Sequence, residues 1–85
     1  MEDNRDIPCV PLVAPDLGMG GVVVSLWLVP AGAEVLEGDR VVELVAGGVT
    51  VDLGAPVTGR LVTHVVDEDA AAPAGTVLAE FEAAS

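Results

Sequence analysis

The chain has 85 residues, 52% of them hydrophobic, and carries 14 acids against three arginines and no lysine, a net charge of −11. That is one domain's worth of sequence, too apolar for an acidic disordered tail and too acidic to sit on a phosphate backbone, so nucleic-acid binding is not expected. With aromatics at 2%, the core must be built from Val, Leu and Ala, and valine favours pleated sheet.

In chain order, residues 1–10 are polar and Pro-interrupted and are expected to form a flexible tail, with a single domain over 11–85. A short strand is expected at Val10–Val13. Longer ones are expected at Val22–Val29, Arg40–Val45, Val49–Leu53, Arg60–Val66 and Thr76–Glu82. Short apolar runs at this spacing, parted by Gly, Pro and Asp, are the pattern of an all-β sandwich or barrel. The longest apolar run, Val22–Val29, is broken by Ser25 and falls far short of the roughly 20 residues a membrane span needs. The N-terminal segment carries acids where a signal peptide needs basic residues. A soluble cytoplasmic protein without a membrane partner is the expectation.

Two further patterns organise the chain. Val22–Val45 lies on Gly59–Glu82 without gaps at an offset of 37, pairing Val24 with Leu61, Leu28 with Val65, Val41 with Leu78 and Leu44 with Phe81. Neither half can cover its own apolar face, so two halves packed about a two-fold axis are expected. Between them, Ala46-Gly47-Gly48 separates two strand-like runs. Gly-Gly at that place predicts a tight hairpin turn with positive φ and an exposed tip.

These features together resemble the lipoyl domain of the 2-oxo acid dehydrogenase acyltransferases. The opening Pro15-Asp16-Leu17-Gly18 and Trp27 fit the family. So do the Gly32, Val35, Gly38, Asp39 turn and the Pro56 and Gly59 pair after the hairpin. The resemblance covers about residues 12–82 and implies a flattened β-barrel, a barrel-sandwich hybrid of two four-stranded antiparallel sheets with pseudo-two-fold symmetry. In that family a lysine at the hairpin tip carries lipoate, or biotin in the related biotinyl domains. Here the tip is Gly47 and Gly48, with Gly48 at the attachment position. Amide formation needs a side-chain amine, which arginine does not supply. No lipoate, biotin or other cofactor is therefore expected on this chain.

The remaining polar residues do not assemble a catalytic set. Cys9 is the only cysteine and His64 the only histidine, so neither a metal site nor a catalytic residue is expected. His64 is read as an exposed strand residue with Val62 or Val65 facing inward, and Trp27 as core or half-buried between the sheets. Ser25 lies within a strand. Glu34, Glu37, Asp39 and Asp67, Glu68, Asp69 are read as matched acidic turns of the two halves and as candidate contacts with a basic partner surface.

What the resemblance implies is an accessory subunit and not an enzyme. It suggests an unmodified, stand-alone lipoyl-like domain serving the catalytic subunit of a dihydrolipoamide-type acyltransferase. Split enzymes of this kind resemble those that acetylate tetronate and spirotetronate antibiotics, with acetyl-CoA used by the partner. Two alternatives stay open. One is a carrier that holds an acyl group or small ligand on Cys9 or the tip. The other is a purely structural module, like the lipoyl-like segments of membrane fusion proteins, which predicts a flanking coiled-coil helix.

Overall fold

The computed structural model describes residues 9–84. The expected tail lies mostly outside the described residues, but its last two positions belong to a strand. The seven strands are β1 (Cys9–Val13), β2 (Val23–Trp27), β3 (Glu34–Val35), β4 (Arg40–Ala46), β5 (Val49–Gly54), β6 (Gly59–His64) and β7 (Val77–Ala83). No helix occurs among the described residues, and none is long and apolar enough to cross a membrane. All pairings are antiparallel, in a four-stranded sheet β1-β7-β6-β3 and a three-stranded sheet β2-β4-β5.

The expectation of two four-stranded sheets is corrected at one place, and the repeat shows where. β3 pairs Glu34 with Arg60. Shifted by the repeat, the same contact is Ala71 with Val23, and it exists as an isolated bridge. The fourth strand of the second sheet is therefore reduced to a single rung. The local sequence explains the reduction. Glu34-Val35-Leu36 becomes Ala71-Ala72-Pro73: the β-branched residue is lost, and proline has no N–H to give to a ladder.

The rest of the symmetry is closely kept. β2 slips register between Val24 and Leu26, and β6 between Leu61 and Thr63, at equivalent positions. Val24 N donates to Ala70 O at 3.0 Å, and its counterpart Leu61 N donates to Ala33 O at 2.9 Å.

The core follows the same rule. Val24 and Leu61, Val41 and Leu78, Val42 and Ala79, and Leu44 and Phe81 are all fully buried. Each pair is one position seen twice, so each half supplies the apolar lid of the other. The pair Leu28 and Val65 departs from the expected pattern, with both side chains exposed. They follow the rings of Trp27 and His64, which point the other way.

Gly59 is fixed by space. A Cβ there would collide with the Glu82 carbonyl of the neighbouring strand. Val22, its counterpart, carries a buried side chain.

Candidate functional site

The hairpin between β4 and β5 is tight. Ala46 pairs with Val49, leaving Gly47 and Gly48 as the two-residue loop, with φ of +55° and +81°. Positive φ at both central residues is the type I′ turn, whose twist matches that of the strands it joins. Both glycines are exposed. A Cβ on Gly48 would meet nothing within 4 Å, whereas one on Gly47 would lie 3.0 Å from the Met19 methyl carbon. The loop after β1 therefore leans its methionine against the tip. The turn does not fit an amide-linked group, because neither glycine offers an amine.

The end opposite the tip follows from the chain path. β5 runs away from the tip to Gly54, residues 55–58 continue, and β6 begins at Gly59 beside Ala83. Cys9 pairs with Glu82 there and is exposed, so the only thiol and the hairpin tip are at different ends of the molecule.

The two aromatic candidates come together. The rings of Trp27 and His64 stack with centroids 4.1 Å apart and 16° between planes. Trp27 Nε1 donates to Val66 O at 2.9 Å. His64 Nε2 meets Val29 O at 3.0 Å; a carbonyl only accepts, so the Nε2 proton is on the ring. Trp27 and His64 are the same position in the two halves, as are Val29 and Val66. The pseudo-two-fold axis passes between the rings. His64 is thus half-buried and bonded, a correction to its reading as an exposed strand residue, and Val65 faces solvent.

The acids do not stand on matched positions. Glu34, Glu37 and Asp39 correspond to Ala71, Ala74 and Thr76, and Asp67–Asp69 correspond to Pro30–Gly32. Two of them hold the backbone. Asp39 Oδ2 accepts from Leu36 N at 2.9 Å and closes its turn. Glu68 Oε2 accepts from Trp27 N at 2.9 Å and ties the turn after β6 to the end of β2. Asp69 takes φ +71°, a left-handed conformation that aspartate tolerates better than most residues. Glu34 and Glu37 belong to the end remote from the tip: Glu34 faces Arg60, and Glu37 N donates to Thr58 Oγ1 at 2.9 Å. Asp67–Asp69 lie alongside β2, where Asp69 N donates to Val24 O at 2.7 Å.

The two described arginines pair locally, Arg40 with Asp52 at 3.3 Å and Arg60 with Glu82 at 2.9 Å. No group of three or more potential metal ligands occurs among the described residues.

The family model described as "Biotin-requiring enzyme", that of the biotin and lipoyl attachment domains, matches residues 10–81. A comparison with curated proteins finds no match.

Proposed function

Because the chain belongs to the biotin/lipoyl attachment domain family, whose members act as carrier modules and are not catalysts in themselves, we propose that it is a member turned from carrying to docking. The observation behind this reading is the tip. Where the family mounts its prosthetic group, this chain has a Gly-Gly type I′ turn, and no lysine stands anywhere in the 85 residues. What remains is a rigid, acidic module that presents a bare hairpin to another protein.

The partner in this proposal is the catalytic subunit of a dihydrolipoamide-type acyltransferase. Such a subunit uses acetyl-CoA, and the present chain serves it as a docking domain. Acetylation in tetronate or spirotetronate antibiotic assembly is the setting the proposal names. The alternative, an acyl carrier, would have to use the exposed Cys9 thiol, because the tip has no nucleophile.

The test is co-expression with lipoate and biotin ligases and with an acyltransferase catalytic subunit that lacks its own lipoyl domain. The expected result is an unmodified intact mass and co-elution with the acyltransferase. A mass gain of one lipoyl, biotinyl or acyl group overturns the proposal, as does the absence of any complex.

A further inference from the structure

β1 and β5 are each the outermost strand of a sheet, and the repeat makes them copies of one another. β1 sets Cys9 against Glu82 and Pro11 against Glu80. β5 sets Thr50 against Val45 and Asp52 against Glu43. Glu82 and Val45 are one position of the repeat, as are Glu80 and Glu43, so Cys9 matches Thr50 and Pro11 matches Asp52. The type I′ bend fixes which backbone groups of β5 point outward. Ala46 and Val49 exchange the hydrogen bonds that close a two-residue loop. In the antiparallel alternation Val51 then bonds to β4 as well, while Thr50 and Asp52 turn their N–H and C=O away from the sheet. Proline at the matching place of β1 agrees with this, since it stands where a ladder needs no N–H.

Proline blunts the outer edge of β1, and β5 contains none. Among the described residues, no hydrogen bond from another segment reaches the N–H of Thr50 or Asp52. Asp52 is exposed although its side chain, drawn over by Arg40, is only 28% exposed. What stands open there is backbone. On the inner face Val51 and Leu53 are half-buried, whereas Leu44 and Val42, which face them on β4, are fully buried. One more strand beside β5 would cover both. On the outer face Asp52 stands directly across from Glu43. The one cation beside these two carboxylates is Arg40, 3.3 Å from Asp52. Like charges opposite each other on a sheet are unfavourable, so the row favours a further cation.

We infer that the outer edge of β5 is a strand-addition site for an extended segment of a partner protein, with a lysine or arginine facing Asp52 and apolar side chains covering Val51 and Leu53. Main-chain hydrogen bonds to Thr50 and Asp52 give the affinity, and the alternation of basic and apolar residues gives the specificity. A second copy of this chain is a poor occupant. Its own β5 would bring another Asp52 to the first, its β1 edge has no N–H at Pro11, and each chain carries a net charge of −11. The inference rests on the reading of the chain as an interaction module and adds the element and the chemistry by which it binds.

The test uses the full chain and a synthetic seven-residue peptide in which lysine and valine alternate. The peptide is expected to bind and to slow amide hydrogen exchange at Thr50 and Asp52. The same peptide N-methylated at alternate residues keeps its charge and loses the outward N–H groups, and is expected to bind at least about tenfold more weakly. Asp52→Pro removes the edge N–H as Pro11 does in β1 and is expected to weaken binding to a similar extent. Asp52→Asn keeps the N–H and is expected to weaken it only about two- to fivefold. Circular dichroism checks the fold of both variants, and the methylated peptide tests the same point on the unaltered chain. Equal binding of the methylated peptide overturns main-chain pairing. Protection at Cys9 and Val13 instead overturns the choice of edge. Equal binding of a peptide with glutamate in place of lysine overturns the basic partner. Self-association of the chain alone with Thr50 and Asp52 protected overturns the choice of occupant. Absence of peptide binding overturns the site itself, while co-elution with an acyltransferase is judged separately.

Discussion

The two halves of this protein share a core and part company at the surface. Four positions, each seen twice, are fully buried in both copies, and even the register slips recur at equivalent points. The differences gather in two places. One is the link into the first strand of each half. The other is the pair of segments 34–37 and 71–74, acidic in one half and small and apolar in the other. Close packing punishes any change between two layers that cover each other. The solvent side is free to diverge, and it diverged most beside the hairpin tip.

The comparison can be broken most sharply where the halves accept different residues. Gly59→Val is expected to cost ~3 kcal/mol or more, because the new Cβ collides with backbone that cannot withdraw without parting β6 from β7. The counterpart, Val22→Gly, is expected to cost about 3 kcal/mol through lost burial and added chain freedom. Urea unfolding of both variants checks this. A neutral Gly59→Val would mean that the β6–β7 spacing is wrong.

The join between the halves comes next. Gly48→Lys is expected to cost about 1–2 kcal/mol, because a side chain must take a left-handed conformation. It places an amine at the exposed tip. Incubation with a lipoate ligase and intact mass measurement should then show one lipoyl group. A folded variant that stays unmodified would place the attachment position elsewhere.

The smallest effect concerns the residues on the axis. A double-mutant cycle over Trp27→Leu and His64→Leu is expected to give a coupling of about 0.5–1.5 kcal/mol, the range of stacked aromatic pairs. Trp27 is the only tryptophan, so its emission reports the stack directly in the His64→Leu protein. A coupling of zero, with unchanged emission, would remove the stack as the joint between the sheets.

The sequence displayed much of this, through simple physics. Strands of five or more residues leave an apolar pattern long enough to read, and Gly-Gly between two such runs has few uses other than a I′ turn. β3, at two residues, is too short to leave a pattern. Its weak counterpart at Ala71 leaves none either, and the fourth strand expected in the second sheet comes from the family resemblance, not from the residues. The Trp27–His64 contact had a signal, since the repeat sets the two residues on one position. A position near the axis of a two-fold meets its own copy, so repeat arithmetic can find such pairs. The acids were harder. Charge alone does not tell a carboxylate that caps a turn, like Asp39 or Glu68, from one that faces solvent. The shallow cleft between Met19–Gly21 and Ala71–Ala74 depends on how the loop after β1 lies against a distant segment, and no local pattern encodes that.

One consequence follows from the way β1 meets β7. Cys9 lies beside Glu82 much as Thr50 lies beside Val45 across the hairpin, so the gap between Ala84 and Cys9 is the symmetry mate of the Gly47–Gly48 bend. A circular permutant, opened between those glycines and sealed by a two-glycine bridge at the other end, should fold with every ladder retained. The ladders of residues 9–84 run the same way round whichever of the two bends joins them.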